Sequence, residues 1–385
     1  METIFWISLI GTFYAYFLYP GVLALLGKIA AKPIRYAAER QALPSLSMII
    51  PVHNEASVIE AKLANLQALD YPRESLKIIF IADACTDDTV AKIRAYPTDL
   101  PIEIDEIEER QGKAHGLNTG LKHVDTELVV FSDASIMLEV DALQQIVKPF
   151  EDPEVGCVSG EDHIAQGGGE GMYGQYELFL RNQESKLGSI VGASGSFYAQ
   201  RAKLCSDFEP GLAPDFLSVL NTVEAGYRAI TKPEARGHME AVKSAGQEFQ
   251  RKVRTLLRGM TAMFDRSRLL NPLTYGLFSF FLISHKLMRW LVPAFLLLIL
   301  CSNLFLLDNI FYSVMLIGQV VFYLLATLAY LEKGPLHDSL PGRIPLFFVL
   351  VNVAIAVAWY RYLKGDRQEL WTPSKRKDTE SVSPS

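Results

Sequence analysis

The stretch VVFSDASIML, Val129 to Leu138, is the most informative part of the sequence because it sets an ionisable carboxylate just after an apolar run. Leu128 to Phe131 has the composition of a short buried strand, and Asp133 follows it after a single serine. Upstream, IIFIAD (Ile78 to Asp83) has the same arrangement. A carboxylate buried without a partner is costly. Two such strand ends therefore predict a site at one edge of a sheet.

Strand and helix patterns alternate on both sides of these two runs. The predicted strands are 46–52, 76–82, 102–107 and 128–131, and the predicted helices are 57–69, 89–95 and 112–123. This alternation indicates an α/β domain with a mostly parallel sheet. In such sheets ligands bind beyond the carboxyl ends of the strands. His53 to Glu55, Asp83 and Asp133 are therefore expected together at one edge.

A nucleoside diphosphate with a divalent cation accounts for these residue types. Carboxylates are ligands for Mg²⁺ or Mn²⁺, which bridge substrate phosphates. Gly112 permits close approach of a ligand, and Lys113 supplies an ammonium for phosphate charge. Thr86 and Asp87 are better explained as a polar turn that caps the next helix. No G-x-G-x-x-G motif follows the first strand, which counts against a dinucleotide-binding dehydrogenase.

The amino-terminal segment Ile4 to Leu26 is almost wholly apolar. A helix of about 20 such residues crosses a hydrocarbon core of ~30 Å. A cleaved signal peptide would need a basic start and a shorter apolar core, but this segment starts with Glu2, and Lys28, Lys32 and Arg35 follow it. We expect a retained span, with the residues after it on the cytoplasmic side.

The carboxyl-terminal third predicts three more spans, 290–307, 310–331 and 344–363, preceded by an interfacial helix near 273–283. The predicted organisation is a span (1–30), a cytoplasmic catalytic domain (31–264), an interfacial segment (265–289), the later spans (290–363) and a polar tail (364–385). Three later crossings would put the tail outside, yet Lys364, Arg367 and the basic residues after them indicate that it is inside. Both possibilities stay open at this stage.

Composition narrows the function classes. The four cysteines have no metal-type spacing, and three of them fall in the presumed cytoplasmic domain, where disulfides are rare. The formal net charge of −6 gives no reason to expect nucleic acid as a partner.

Seven motifs lie between about Leu46 and Thr255: SMIIPVHNE, IIFIADACTDDT, QGKAHGLNTGLK, FSDASIMLEVDAL, GASGSFYAQR, PDFLSVLNTVEAGYR and FQRKVRT. Their order resembles that of membrane-bound family 2 glycosyltransferases, relatives of processive poly-N-acetylglucosamine, hyaluronan and cellulose synthases. The resemblance implies a GT-A fold and inverting transfer from a UDP-sugar, with Mg²⁺ or Mn²⁺ as cofactor. It also implies a glycan or lipid-linked acceptor, contact with membrane lipid at the cytoplasmic membrane, and partners in a polysaccharide export complex.

The same resemblance assigns the donor side of the site. Pro51, His53 and Glu55 would line the base and ribose pocket, Asp83 would lie by the nucleotide, and Lys113 would lie near the diphosphate. Asp133 would be the first carboxylate of a metal-binding D-x-D element whose third position is here Ser135. A single carboxylate would bind a metal ion only weakly. His238 or Glu240 is a candidate second ligand, although such residues are more often polar surface.

The acceptor side follows from the later motifs. Asp215 would be the base that removes the proton of the acceptor hydroxyl, and its simpler explanation is a helix cap. Gly195 lies in the Gly192–Ser196 run, which would form the floor of the acceptor pocket or an ordinary turn. Gln250, Arg251 and Arg254 match an incomplete Q-x-x-R-W element. The arginines would neutralise the leaving diphosphate, or instead meet lipid headgroups. Thr255 stands in place of the tryptophan, which weakens the case for long-chain processivity.

The predicted function is therefore sugar transfer from a UDP-sugar to a growing polysaccharide or lipid-linked glycan. Two rivals stay open. One is a non-processive transferase that adds a single sugar to a lipid-linked acceptor. The other belongs to a different class, a catalytically silent nucleotide-binding scaffold in a secretion complex.

Overall fold

The computed structural model describes residues 1–36, 42–164, 169–240, 245–331 and 334–367. Its centre is one eight-stranded sheet. The strands are β1 Leu46–Val52, β2 Leu76–Asp83, β3 Ile102–Ile107, β4 Leu128–Ser132, β5 Met137–Leu138, β6 Val155–Ile164, β7 Phe197–Arg201 and β8 Arg228–Met239. The four strands predicted from sequence are therefore confirmed, two of them with one more residue at the carboxyl end.

The sheet has the order β3-β2-β1-β4-β7-β6-β8-β5. The first four strands are parallel, with Val52 opposite Ala82 and Ile49 opposite Phe131. Strand β7 is antiparallel to both β4 and β6, whereas β6 and β8 are parallel to each other. The carboxyl ends of β1, β2 and β4 consequently meet at one edge, as the sequence predicted.

The α-helices surround this sheet and extend from it. They are α1 Glu2–Phe13, α2 Tyr19–Ile29, α3 Ile59–Gln67, α4 Thr89–Ala95, α5 Lys113–Leu121, α6 Ala142–Val147, α7 Gly169–Leu187, α8 Pro214–Glu224, α9 Ala245–Asp265, α10 Pro272–Tyr275, α11 Leu277–Phe281, α12 Met288–Asn303, α13 Ile310–Leu331, α14 Pro335–Asp338 and α15 Leu340–Leu363. Two π-helical turns, Tyr14–Leu18 and Leu282–Leu287, continue α1 into α2 and α11 into α12. Short 3₁₀ turns occupy Arg73–Ser75, Lys148–Glu151, Ala202–Leu204 and Ser267–Leu270.

Apolar side chains fill both faces of the sheet. One core packs α3 and α6 against the face that carries Met48, Ile50 and Phe80. The other packs α5, α8 and α9 against the face that carries Ile49 and Ile79, and it continues into the apolar helices through Trp290 and Ile355. Because the second core is continuous, the helices that flank the domain are tied directly to that face of the sheet.

Within the described ranges, four helical segments are long and apolar enough to cross a membrane: Glu2–Ile29, Leu277–Asn303, Ile310–Leu331 and Leu340–Leu363. The segment expected to be interfacial near 273–283 is not separate from the second of these, because Leu277 to Asn303 is one helical run. It therefore does not supply an additional crossing. The predicted polar tail lies outside the described residues from 368 onwards.

Helix α15 lies along helix α9 of the α/β domain. Lys252 stands over the ring of Phe347, and Phe264 contacts the rings of Trp359 and Tyr362. A helix rises 1.5 Å per residue, so the stretch from Phe347 to Tyr362 keeps contact with the domain for about 22 Å. Beyond it, Arg367 approaches Gly211, which precedes α8. The carboxyl end of α15 therefore lies beside the domain.

Candidate active site

The ends of β1 and β2 form the first wall of the site. The Nδ1–H of His53 donates to the carbonyl of Asp83 at 2.6 Å. Both carboxylate oxygens of Asp83 are also engaged, since they accept the backbone N–H groups of Gln111 and Gly112 at 2.8 Å each. Gly112 has φ of 86°, a conformation that glycine adopts without strain. Asp83, predicted to lie by the nucleotide, therefore shapes the loop that leads into α5.

Lys113, the first residue of α5, joins this loop to the end of β4. Its ammonium contacts Oδ1 of Asp133 at 2.5 Å and donates to the carbonyl of Gly195 at 3.0 Å. The side chains of Lys113 and Asp133 are partly exposed, so a ligand can reach them. The structure thus brings together three residues that the sequence placed in one site, Lys113, Asp133 and Gly195.

Three consecutive residues, Ser194 to Ser196, approach three different aspartates. The hydroxyl of Ser194 donates to Oδ1 of Asp162 at 2.6 Å. A methyl group built on Gly195 would stand 3.7 Å from Oδ2 of Asp215, and the carbonyl of Ser196 accepts the N–H of Asp133 at 3.0 Å. Three residues in a row extend over at most about 7 Å between their outer Cα atoms. The side chains of Asp133, Asp162 and Asp215 therefore lie around one short segment in a partly exposed region, which we call the cleft.

Asp215 stands at the start of α8, beside Gly195. It lies within the first turn of the helix and not at the N-cap position, which Ala213 occupies. Burial raises the pKa of Asp215 above its ordinary value, although the positive charges of Lys113, Arg258 and Arg181 act in the opposite direction. A general base works best when its pKa lies near the operating pH. The carboxylate of Asp215 thus borders the cleft, and burial shifts its pKa in the direction that favours a general base.

Arg258 is a site residue that the sequence reasoning missed. It is only 6% exposed, and its Nε and Nη2 have no hydrogen-bond partner among the described residues. Burial lowers the pKa of Arg258, whereas the charge of Asp215 favours its ionised form. A buried cation is costly unless an anion compensates it. The sequence does contain a pattern that points to Arg258, because Arg251, Arg254 and Arg258 recur at i, i+3 and i+7 on one face of α9.

The two predicted arginines of α9 differ in their surroundings. The guanidinium of Arg251 is held by Glu248 of the preceding turn through two hydrogen bonds of 2.8 and 2.7 Å. Arg254 is half-buried, and burial and the charge of Arg251 both lower its pKa. Gln250 is exposed on the same helix. Of this motif, Arg254 is therefore better placed than Arg251 to meet an anionic ligand.

Lys62 is a second residue that sequence patterns did not reveal, because it falls on the apolar stripe of α3. Its side chain is 0% exposed. The ammonium donates to Oγ of Ser132 at 2.9 Å and to the carbonyl of Ile136 at 2.8 Å, so it holds the two ends of the loop that carries Asp133. Burial lowers the pKa of Lys62 to about 7, and the charge of Asp133 partly opposes this.

The residues at Asp133 fit a divalent cation that takes most of its ligands from water and substrate. Mg²⁺ is commonly held by one or two carboxylates together with substrate phosphates. Among the described residues no group of three His, Cys, Asp or Glu side chains is arranged to hold a metal. His238, a predicted second ligand, instead bonds Glu139 at 3.1 Å and lies against the ring of His163. Asp133 with the partly buried Ser135 is therefore the protein contribution that the site offers.

The remaining predicted residues lie near the ends of β1 and β2. Pro51 is buried in β1 against Gly116 of α5, and Glu55 donates its N–H to Thr89 at 2.8 Å. Asp87 accepts hydrogen bonds from Thr89 and from the N–H of the residue after Glu55. Burial acts to raise the pKa of Asp87, but these bonds outweigh it and lower the pKa. The expectation that Asp87 shapes a turn is thus confirmed.

A buried polar cluster connects the floor of the cleft with the apolar helices. Glu184 of α7 is 0% exposed, and it accepts hydrogen bonds from Tyr19 at 2.7 Å and from His285 at 2.6 Å. Its second oxygen accepts the N–H of Val191, just before the Gly192–Ser196 run. The candidate spans that contain Tyr19 and His285 are therefore anchored to the segment that borders the three aspartates.

Comparisons with known proteins agree with this geometry. Residues 47–207 match the family model described as glycosyl transferase family 2. A mannosyltransferase of Pyrobaculum calidifontis, PcManGT, solved in complex with GDP-Man and Mn²⁺, superimposes with a TM-score of 0.76 and 26% identity. That match covers 95% of this chain and 99% of the mannosyltransferase.

Curated relatives match a shorter region. Poly-β-1,6-N-acetyl-D-glucosamine synthase of Staphylococcus aureus strain COL is 28% identical over 195 residues, which are 49% of this chain and 39% of the synthase. The corresponding synthase of Staphylococcus epidermidis is 26% identical over 189 residues, with the same two shares. This chain thus aligns with about two fifths of the length of these synthases. The chain is related to polysaccharide synthases and carries a glycosyltransferase family 2 domain with the GT-A fold.

Proposed function

We propose that the chain catalyses inverting transfer of a sugar from a nucleoside diphosphate sugar to a glycan or lipid-linked acceptor at the cytoplasmic face of the membrane. The observation that carries this proposal is the run Ser194 to Ser196. Lys113, which contacts Asp133, donates to the carbonyl of Gly195, and the carboxylate of Asp215 lies beside the same glycine. Inverting transfer needs a base for the acceptor hydroxyl and positive charge for the leaving diphosphate at one sugar, and this run has both beside it.

Each wall of the cleft has a separate task. Asp215 accepts the proton of the acceptor hydroxyl as that oxygen attacks the anomeric carbon. Lys113 and Arg254 supply positive charge for the diphosphate that leaves, and Arg258 favours the ionised form of Asp215. Asp83 holds the loop before α5 through two backbone N–H groups.

The base and ribose of the donor lie along the ends of β1 and β2, beside Pro51, His53 and Glu55. His53 supports this placement, because its ring is held against the end of β2 by the carbonyl of Asp83. The nucleotide would thus lie on the side of the cleft away from Asp215.

Asp133 and Ser135 would hold a divalent cation, Mg²⁺ or Mn²⁺, which neutralises phosphate charge when bound. Mn²⁺ in PcManGT supports this assignment. The ammonium of Lys113 contacts Oδ1 of Asp133, so a bound cation would compete with it for this carboxylate and leave Lys113 to meet the diphosphate. Lys62 holds the loop from below through Ser132 and Ile136.

Both UDP-sugars and GDP-sugars have to be tried as donors. The sequence motifs resemble those of enzymes that use UDP-sugars, whereas PcManGT, which matches nearly the whole chain, was solved with GDP-Man. A second candidate function is addition of a single sugar to a lipid-linked acceptor. Thr255 in place of tryptophan favours it over synthesis of long chains.

Purified protein should release nucleoside diphosphate from one of a panel of UDP- and GDP-sugars when Mn²⁺ or Mg²⁺ and membrane lipid extract are present. We expect Asp215→Asn to lower the rate by at least about 100-fold, as is usual for loss of a general base. Nucleotide affinity, measured by calorimetry, should stay unchanged. Undiminished turnover in Asp215→Asn would refute the assignment of the base.

Asp125→Asn is the matched control, because it makes the same change on an exposed side chain before β4, at the opposite edge of the sheet. It should turn over like the wild-type protein. Mass spectrometry of the product then separates a polymer from a single addition. Nucleotide binding without turnover for every donor would instead support the silent scaffold.

A further inference from the structure

We propose that Asp162 accepts a hydrogen bond from a hydroxyl of the transferred sugar and thereby restricts the enzyme to neutral sugars at that position. The inference rests on the proposed function and goes beyond it by naming the class of sugar. Asp162 belongs to β6, outside the residues that the sequence motifs single out. Nothing in those motifs assigns it a role.

The position of Asp162 follows from the contacts of the run Ser194 to Ser196. Its last residue holds Asp133 on the diphosphate side, and its middle residue borders Asp215 on the acceptor side. Its first residue, Ser194, holds Asp162. In an in-line displacement the transferred sugar lies between the attacking and the leaving oxygen. A carboxylate beside both walls of the cleft is therefore next to that sugar.

The orientation of Asp162 is set by a hydrogen-bonded relay. The hydroxyl of Ser194 accepts the N–H groups of Ser196 and Phe197 at 3.1 and 3.0 Å. These bonds direct the hydroxyl proton to Oδ1 of Asp162. The N–H of Ser194 donates in turn to Oγ of Ser159 at 2.8 Å. Oδ2 of Asp162 has no hydrogen-bond partner in the part of the chain that the structure describes. One oxygen is thus fixed, and the other remains available to a ligand.

A purely structural role does not explain the charge of this residue. The pKa of Asp162 is raised to about 6, chiefly by burial and also by the charges of Asp133 and Asp215. The hydrogen bond from Ser194 and the charge of Arg181 act to lower it. Asparagine would accept the same hydrogen bond from Ser194 without that cost. Lys113 pairs with Asp133, and Arg181 and Arg258 lie around Asp162 and Asp215, but the second oxygen of Asp162 still repels a sugar carboxylate placed next to it, such as that of a uronic acid. The cleft therefore favours a neutral hexose or N-acetylhexosamine.

The test compares wild-type protein, Asp162→Asn and Asp162→Ala with the best donor and with donors that lack one sugar hydroxyl each. We expect Asp162→Ala to lower kcat/KM for the full donor by about tenfold to a hundredfold, the usual effect of losing a hydrogen bond to a charged group. One deoxy donor should be poor for the wild-type protein but no worse than the full donor for Asp162→Ala. The relative rate with a uronate donor should rise in Asp162→Asn.

A structural role alone would lower all rates together and leave the ratio between donors unchanged, which would overturn the inference. Asp125→Asn should leave both the rates and the ratios as they are. If the wild-type protein turns over no donor, the proposed function fails, and calorimetry then decides the inference. The wild-type protein should bind a nucleotide sugar more tightly than the nucleotide alone, and Asp162→Ala should abolish that difference. If both proteins show the same difference in affinity between the nucleotide sugar and the nucleotide, the role of Asp162 in binding the sugar is refuted.

Discussion

Asp162→Asn should make the protein more stable at neutral pH while it impairs sugar transfer. The pKa of Asp162 is raised from its ordinary value of 3.8 to about 6, chiefly by burial. An acid with a raised pKa in the folded state disfavours folding once it is ionised. This loss of stability is absent when the pH is below 3.8, grows as the pH rises from 3.8 to about 6, and is complete above about pH 6. Asparagine keeps the shape and the bond from Ser194 but carries no charge.

The size of the effect follows from the ionisation constant. Each factor of ten corresponds to about 1.4 kcal/mol, so the raised pKa sets an upper limit of about 3 kcal/mol. Because the cleft is open to water, which screens part of the repulsion, we expect about 1 to 2 kcal/mol. In a chain of 385 residues 1 kcal/mol shifts Tm by about 1 °C, so Asp162→Asn should melt about 1 to 3 °C higher than the wild-type protein.

Differential scanning fluorimetry in one detergent at pH 5 and pH 8 measures this difference. The gap in Tm should be full at pH 8 and smaller at pH 5, where Asp162 is largely protonated in the folded wild-type protein. Asp125→Asn controls for the loss of one negative charge and should show no pH-dependent gap. A gap of equal size at both pH values, or a lower Tm for Asp162→Asn at pH 8, would refute this account of the carboxylate.

Three further changes test other parts of the molecule. Glu184→Ala removes the acceptor of three buried donors, and we expect it to lower the free energy of unfolding by about 3 kcal/mol or more. This loss should be visible as a lower Tm in detergent. An unchanged Tm would contradict the anchoring role of this cluster. Arg254→Ala should lower kcat/KM by about tenfold or more. Arg251→Ala should change kcat/KM by less than about threefold, because the guanidinium of Arg251 is held by Glu248. A larger loss in Arg251→Ala than in Arg254→Ala would show that Arg251 is the phosphate ligand. An epitope tag after Ser385 should be digested by an added protease only in preparations where the catalytic domain is digested too. The reason is that α15 lies along α9, so we expect α15 to run beside the domain and not to make a third later crossing. Digestion of the tag from the opposite side of the membrane would contradict this packing.

The strands and the edge at which they end were predictable from sequence because their signals are local. Leu46–Val52 and Leu128–Ser132 are apolar runs, and polar residues follow them directly. In a parallel sheet the chain direction alone determines which ends meet. Asp83 and Asp133 could therefore be assigned to one edge. The role of Asp83 was less predictable, because its partners are backbone groups of a loop that begins 28 residues later.

The residues that were missed owe their positions to contacts between distant segments. Lys62 lies on an apolar helical face, and its environment depends on the loop that carries Asp133. Arg258 lies one turn beyond the motif that drew attention to Arg254. Asp162 lies near the end of β6 in none of the motifs, and only its bond from Ser194 reveals that it borders the same cleft as Asp133.

Local composition was enough to predict the alternation of strands and helices, the apolar flanks and the acidic strand end at Asp133, since each of these depends on neighbouring residues. It could not predict that α15 follows α9, or that Asp162, Asp133 and Asp215 border one cleft. These relations arise when the chain packs, because they depend on side-chain contacts and hydrogen bonds between segments far apart in sequence. A pattern of neighbouring residues carries no record of such contacts.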